Sequence, residues 1–384
     1  MRGGAAVRYR PTFRQFIFGV LSILVGTLAA LAVGEAVCRI AHGDKYLNIQ
    51  CNLFPPGSLV YDAVTGWTYR PGYVGRWRSM EYEFEVRINA LGLRDREYGP
   101  KTKPRVLFVG DSFVFGAGVA IEQTFVRQAE QALAQRRPVE CINAGHAATG
   151  PDTYLRCVQK YAPVLRPETV VVCVFPETDF SDTLLFRNMW EAHRNVNGEP
   201  CMGCEPLARE REMSVGGLYR ASALYRYLGF RLRCFSIVSD TSSDKSAWLR
   251  VYLKDPPEWV RDAKACVLAD LEGMRQLCRA HGTTMGLVLL PTELNVDPTL
   301  WRRVAPRTGY GMDAFDPDQP FHWLARYGAQ WGVPCLDLRD AVRKAGGRDC
   351  FYKHDRHPNE KGHRVIGEAI ARFLETERLV PAGL

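Results

Sequence analysis

The sequence predicts a three-layer α/β/α domain of flavodoxin-like appearance, built on a central parallel sheet and preceded by a transmembrane helix. Short apolar runs, typical of buried strands, alternate with amphipathic segments of helical period. The run Thr169–Phe175 is continuously apolar and β-branched, as in a strand covered on both faces. Residues 16–34 carry no charge and are long enough to cross a bilayer.

The N-terminal region, residues 1–42, is interpreted as a cytoplasmic basic tail followed by a membrane anchor. As a helix, residues 16–34 would rise about 28 Å, close to the thickness of a bilayer core. Four basic residues and no acidic residue precede them: Arg2, Arg8, Arg10 and Arg14. This charge pattern predicts a cytoplasmic N-terminus and an extracytoplasmic remainder. A signal peptide cut after Ala30-Leu31-Ala32 is the alternative.

The composition predicts one large globular domain rather than a disordered or fibrous chain. Of 384 residues, 46% are hydrophobic and 24% are charged, and the net charge is +8. Half of that excess comes from the basic tail, and no dense Lys/Arg run with interleaved aromatic residues follows. Nucleic acid is therefore not an expected partner.

The twelve cysteines do not form a metal-binding pattern. Cys201 and Cys204 are a close pair, but they lack a second pair or a histidine cluster, so zinc is weakly supported. In an extracytoplasmic domain this pair suits either a disulfide or an ordinary loop. Three others, in strand-like runs, are expected to be small buried residues: Cys141, Cys173 and Cys335.

Two regions follow the anchor: an extracytoplasmic lead-in segment, residues 43–103, and the α/β domain, residues 104–384, with an insertion at about 180–255. In the lead-in, Tyr82–Ile88 alternates as a half-buried strand does. The predicted strands of the domain are 106–109, 139–142, 169–175, 284–290 and 333–338. Its predicted helices are 124–135, 152–165 with Asp152 as N-cap, 257–281, 321–332 and 361–377.

A serine follows the first predicted strand of the domain. The apolar run ends in Gly110-Asp111-Ser112, and functional groups of open parallel sheets lie at the carboxyl ends of strands. A serine there is accessible to a ligand, and its N–H can face a developing anion. Taken alone, the tripeptide equally suits an ordinary turn.

A second polar group precedes the last predicted helix. His354-Asp355-Arg356-His357 contains both an imidazole and a carboxylate. A hydroxyl nucleophile needs a general base, and that base needs an orienting acid. A solvated polar loop is the alternative interpretation of this segment.

Five blocks, in order, resemble those of the SGNH/GDSL hydrolase superfamily. They are Gly110-Asp-Ser-Phe113, Gly116-Ala-Gly118, Asn143-Ala-Gly145, Asp179, and Asp355-x-His357-Pro-Asn359-x-x-Gly362-His363. The similarity covers roughly residues 85–375. The chain also resembles a bacterial subgroup that has an N-terminal membrane helix and a stretch like Arg87-Ile-Asn-Ala-Leu-Gly-Leu-Arg-Asp95.

The resemblance implies roles for particular residues. Ser112 matches the nucleophile, whose own N–H is one donor to the oxyanion, and His357 matches the base. The second donor is a backbone N–H in the turn after the second strand. That position falls at Ala148, with Gly145 and Gly150 as neighbours, and an alanine can serve there only if its backbone angles are permitted.

The chain departs from the family pattern at two places. Thr178 stands where the family has an asparagine that is the third oxyanion donor. The family's acid is three residues before the histidine, where this chain has His354, whereas Asp355 is two before. A D-x-H spacing occurs among relatives that acetylate polysaccharides, so Asp355 is the expected acid and His354 an inert surface residue. His146 suits either the pocket or a structural role.

The expected reaction is acyl transfer without a metal or nucleotide cofactor. Transfer to water makes the protein a serine esterase, and transfer to a sugar hydroxyl makes it an O-acyltransferase. The expected substrates are acyl esters, acetyl above all, of cell-envelope or exported carbohydrate. Activity is expected to be reduced by Thr178. The alternatives are a lipid esterase and a catalytically weak glycan-binding or assembly protein.

Overall fold

The computed structural model describes residues 12–42, 57–78, 81–134, 136–184, 218, 221–229, 247–353 and 355–381. The predictions about Cys201, Cys204 and His354 lie outside these residues. The chain divides into two compact units. One comprises Met1–Asn48 with Val215–Val238, and the other comprises Ile49–Ser214 with Ser239–Leu384.

The first unit is built on one long apolar helix, α1, from Phe13 to His42. Its most apolar 18-residue window has a mean hydropathy of 2.5, and none of that window is buried. Near its end, the Glu35 carboxylate accepts hydrogen bonds from the N–H groups of Ala223 and Leu224, both at 2.9 Å, at the start of helical residues 223–229. The length and composition of α1 suit a membrane span or a signal sequence.

The second unit contains a five-stranded sheet in which every neighbouring pair is parallel. Its strands are β5 (Arg105–Gly110), β6 (Glu140–Gly145), β7 (Thr169–Val174), β8 (Thr284–Leu289) and β9 (Cys335–Asp337). The spatial order is β6-β5-β7-β8-β9, the flavodoxin-like order. The predicted fold class is therefore confirmed, and the sheet presents the carboxyl ends of its strands along one edge.

Each face of the sheet is covered by its own apolar core. In β5, Leu107 and Val109 enter one core and Val106 and Phe108 enter the other. Successive residues of a strand point to opposite faces, so a strand covered on both sides must be apolar throughout. This is why the strands appear in the sequence as continuous apolar runs.

Helices cover both faces. Within the part of this unit that the structure describes, the α-helices are α2 (Ser112–Phe115), α3 (Phe125–Leu133), α4 (Pro151–Leu165), α5 (Glu258–Ala280), α6 (Glu293–Val296), α7 (Pro298–Val304), α8 (Gln319–Trp331), α9 (Arg339–Lys344) and α10 (Glu360–Thr376), together with helical residues 176–184. The predicted N-cap of α4 is wrong by two residues. Gly150 is the N-cap and Pro151 the first helical residue, because proline needs no N–H partner there.

The lead-in segment folds as two antiparallel hairpins. They are β1 (Leu59–Asp62) with β2 (Gly66–Tyr69), and β3 (Val74–Arg78) with β4 (Glu83–Arg87). Their aromatic residues form a third core with Phe115 of α2 and Ala147. The lead-in therefore packs directly on the helix that begins with Ser112.

One buried arginine links the lead-in to α2. Arg94 is 1% exposed, and its guanidinium donates to the carbonyl oxygens of Phe115, Gly116 and Val119 at 2.7–2.8 Å. The last carbonyls of a helix have no partner within that helix. Arg94 supplies one, and its positive charge suits the carboxyl end of a helix.

The predictions for the three strand cysteines have different outcomes. Cys141 and Cys173, in strands β6 and β7, are buried as expected. Cys335, the first residue of the three-residue strand β9, is only half-buried.

Candidate active site

Ser112 lies immediately past the carboxyl end of β5, as the first residue of α2. The Asp111 carboxylate caps α2 by accepting the N–H of Phe113 at 2.9 Å. A side chain at Gly110 would come within 2.3 Å of the Val114 side chain, so only glycine allows this sharp turn from strand to helix. As a first helical residue, Ser112 has an N–H that the helix itself does not use.

The structure brings Ser112, His357 and Asp355 into one hydrogen-bonded chain. Nε2 of His357 lies 2.8 Å from Oγ of Ser112. Nδ1 of His357 bonds to Oδ1 of Asp355. The serine comes from the end of β5, whereas the other two come from the loop that precedes α10, 245 residues later. This is the connection of nucleophile, base and orienting acid that acyl transfer requires.

The charges around the hydrogen-bonded Ser112, His357 and Asp355 favour proton transfer to the histidine. Burial disfavours the charged imidazolium, but the Asp355 carboxylate outweighs it and raises the pKa of His357 above its usual range. Burial likewise opposes ionisation of Asp355, yet His357 and the Tyr82 hydroxyl keep the pKa of Asp355 below its usual range. A histidine paired in this way is a better acceptor of the Ser112 proton than a free one.

Of the three residues expected around the second oxyanion position, Ala148 alone lines the pocket. Its φ is +58°, the left-handed conformation that a side chain disfavours. Gly145 is needed for packing, since a Cβ there would lie 2.1 Å from the Phe115 nitrogen. Gly150 begins α4, and a Cβ there would lie 2.7 Å from Oγ1 of Thr183. These two glycines hold the turn in which Ala148 lies.

Thr178 also lines the pocket, next to another polar group. Its hydroxyl interacts with the Asp182 carboxyl, which lines the same pocket. Burial, with the nearby Asp111 carboxylate, raises the pKa of Asp182 to about 7. The Thr178 hydroxyl therefore lies beside a carboxyl group in the site.

An ion pair forms another wall of the pocket. Arg356, which lies between Asp355 and His357, has a φ of +72°, donates a hydrogen bond to Glu177 at 2.8 Å and forms an ion pair with Glu293 at 3.1 Å. Glu177 is 4% exposed, and burial raises its pKa although Arg356 opposes this. The pair ties the loop of the base to the segment that follows β7.

The pocket around Ser112 has a volume of about 240 Å³. Its wall combines two aromatic rings with polar groups: Phe113, Phe175, Glu177, Thr178, Asp182 and Thr292. Sites for drug-sized ligands are larger, at roughly 300–1,000 Å³. The space therefore suits a small acyl group. Within the described ranges, no three His, Cys, Asp or Glu side chains are grouped to hold a metal ion.

His146 has structural contacts. It is 3% exposed, its Nε2 lies 2.9 Å from the Trp67 carbonyl oxygen, and its ring packs on Trp67 at 3.7 Å. Burial lowers its pKa to about 4. Among the described contacts, His146 ties the turn after β6 to the lead-in rather than facing the pocket.

Sequence reasoning gave no role to four residues that the structure places at or behind the site: Glu81, Tyr82, Asp182 and Arg356. Asp182 falls in the region assigned to an insertion. Tyr82 begins a strand predicted only from its alternation, and Glu81 directly precedes that strand. No local pattern in the sequence marks a contact between segments so far apart.

Comparisons with solved structures find proteins of similar architecture. A protein of Desulfitobacterium hafniense DCB-2, described as lipolytic and of the G-D-S-L family, is 12% identical over 70% of this chain and 99% of its own, with a TM-score of 0.38. A lipase/acylhydrolase of Enterococcus faecalis is 14% identical over 73% and 99%, with a TM-score of 0.40.

An acetylxylan esterase of Geobacillus stearothermophilus, Axe2, is 11% identical over 73% of this chain and 96% of its own, with a TM-score of 0.39. No family model and no curated protein matches the chain. At these identities and TM-scores, the function must be argued from the geometry of the site.

Proposed function

We propose that this protein is a membrane-anchored, extracytoplasmic serine esterase or O-acyltransferase that acts on small acyl esters of cell-envelope or exported carbohydrate. The observation that carries the proposal is the hydrogen-bonded chain from Ser112 through His357 to Asp355. All three residues line a pocket of about 240 Å³.

In the proposed mechanism, Oγ of Ser112 attacks the ester carbonyl while Nε2 of His357 takes its proton. Asp355 holds the imidazole in orientation and stabilises the imidazolium. The N–H groups of Ser112 and Ala148 stabilise the oxyanion. His357 then returns the proton to the leaving alcohol, which leaves an acyl-Ser112. Water or a sugar hydroxyl, deprotonated by His357, attacks this acyl group and regenerates the serine.

The proposed substrate rests on pocket size, pocket chemistry and membrane topology. The volume suits an acetyl-sized acyl group better than a long chain. Glu177, Thr178 and Arg356 offer donors and acceptors for a hydroxyl-rich alcohol. The basic tail before α1 predicts that the second unit is outside the cytoplasm, where envelope glycans are.

The first test is fluorophosphonate labelling of the full chain in detergent. Wild type should be labelled and Ser112→Ala should not, because the probe traps an activated serine. Ser58→Ala is the matched control, since Ser58 is another buried serine of the same unit. Equal labelling of Ser112→Ala and wild type would refute the nucleophile. Absence of labelling in wild type, with glycan binding retained, would support the binding-protein alternative.

The second test separates the substrate classes. Hydrolysis of nitrophenyl esters of increasing chain length, and release of acetate from acetylated sugars, should favour the shortest acyl group. A preference for long acyl chains would indicate a lipid esterase instead. A C-terminal reporter active only outside the cytoplasm tests the topology, and reporter activity only in the cytoplasm would refute it.

A further inference from the structure

The β3–β4 hairpin of the lead-in reaches the loop that carries the proposed acid. Glu81 and Tyr82 directly precede β4. The Glu81 carboxylate accepts two backbone N–H groups of that loop, from Lys353 at 2.9 Å and from Asp355 at 2.8 Å. Among the described N–H groups of the loop, each carboxylate oxygen accepts one, so Glu81 holds the backbone at Lys353 and at Asp355.

Tyr82 holds the side chain of the same residue. Its hydroxyl hydrogen bonds to the Asp355 carboxylate. The ring is 8% exposed and packs on Tyr352 and Phe84, with ring centroids 4.8 Å and 5.8 Å away. The ring is thus fixed on both sides, and its hydroxyl is presented to Asp355 in a defined position.

Asp355 needs such support because of its place in the chain. It lies in a tight turn closed by the N–H of Tyr352 on the carbonyl of His357 at 2.9 Å. The intervening Arg356 has left-handed backbone. The terminal torsion of an aspartate has a broad energy minimum, so one bond to His357 leaves the carboxylate free to turn. A second bond from Tyr82 restricts that rotation.

The same lead-in also contacts the nucleophile's helix. Arg94 binds the carbonyls at the end of α2, and the Trp77 ring packs on Phe115 with centroids 5.4 Å apart. One folded segment is thus attached both to the helix that begins with Ser112 and to the loop that carries Asp355 and His357.

We infer that Tyr82 is a positioning residue of the triad: its hydroxyl holds the Asp355 carboxylate in the orientation that His357 requires, and the lead-in completes the active site. The inference rests on the proposed function. It assigns a part of the reaction machinery to a segment outside the sheet domain.

The test measures the rate of fluorophosphonate labelling as a function of probe concentration, with the full chain in detergent. Tyr82→Phe keeps the packed ring and removes only the hydroxyl. The limiting rate should fall about tenfold to a hundredfold, the range for a lost hydrogen bond to a charged group. The half-saturating probe concentration should not change, because Tyr82 does not line the pocket.

Tyr352→Phe is the matched control. It removes one hydroxyl from the neighbouring ring, but that hydroxyl donates to the Gly118 carbonyl at 2.8 Å, so both constants should stay close to wild type. A double-mutant cycle supplies the second readout. In an Asp355→Ala background, Tyr82→Phe should have no further effect, because the group on which it acts is absent.

The outcomes separate the two proposals. Labelling that is absent from wild type, or retained in Ser112→Ala, would overturn the proposed function and with it the positioning role. Labelling that depends on Ser112 but is unchanged in Tyr82→Phe would overturn the positioning role alone. Tyr82→Phe could also lower the limiting labelling rate by the same factor with and without the Asp355 carboxylate. That result would overturn the positioning role as well, since Tyr82 would then act only on the fold.

Discussion

Arg94→Met should destabilise the protein strongly, because the guanidinium is the donor for several buried carbonyls at once. It bonds the carbonyl oxygens of Phe115, Gly116 and Val119 at 2.7–2.8 Å and that of Glu85 at 3.2 Å. It also lies over the Phe84 and Phe115 rings, 4.5 Å and 5.1 Å from their centroids. Methionine keeps the apolar contact and removes every one of these donors.

The magnitude follows from the groups left without a donor. A buried acceptor that loses its partner costs about 1–3 kcal/mol. Part of this is offset, since burying a guanidinium is itself unfavourable, as the lowering of the Arg94 pKa to about 9 by burial indicates. Four carbonyl oxygens lose their donor, and with this offset we expect Arg94→Met to cost about 3–5 kcal/mol.

Urea unfolding of the full chain in detergent, followed by tryptophan fluorescence, measures this free energy. Trp67 and Trp77 lie in the lead-in core and report on it directly. Arg96→Met is the matched control. The Arg96 side chain is 42% exposed and pairs with Glu130, so its loss should cost less than about 1 kcal/mol. An Arg94→Met variant as stable as Arg96→Met would refute the role of Arg94 in holding α2.

Three further predictions concern catalysis. Asp355→Asn should lower kcat toward a short acyl ester by about 10⁴-fold, and a loss of less than about tenfold would mean that another group orients the base. The reaction needs neutral His357, and the pKa of this histidine is raised. We therefore expect kcat/KM to fall as pH decreases, with the midpoint of the fall above the ordinary histidine pKa of about 6.5. A pH–rate profile with a lower midpoint would contradict this. Thr178→Asn should raise kcat with little change in KM, whereas Thr178→Val should stay near wild type because the hydroxyl interacts with Asp182 instead of the oxyanion. A loss of about a hundredfold in Thr178→Val would show that the hydroxyl turns to the oxyanion.

Local patterns in the sequence predict the fold class and the order of its elements. Strands buried on both faces must be apolar at every position, and helices on a sheet must be apolar on one side, so both leave local patterns. The predicted strand 106–109 is observed as Arg105–Gly110, and the predicted helix 361–377 as Glu360–Thr376. The predicted strand 333–338 is observed as the shorter Cys335–Asp337.

The sequence also determined which residues could form a triad, because serine, histidine and aspartate follow strand ends or precede a helix in recognisable blocks. How the surrounding residues hold these three side chains depends on the tertiary structure. Tyr82 meets Asp355 across 273 residues of chain, and Arg94 meets Phe115 across 21. The Thr178 hydroxyl interacts with Asp182, a neighbour that the sequence around Thr178 does not select. Such contacts depend on directions in space rather than on the periodicity of one element, so no local pattern encodes them.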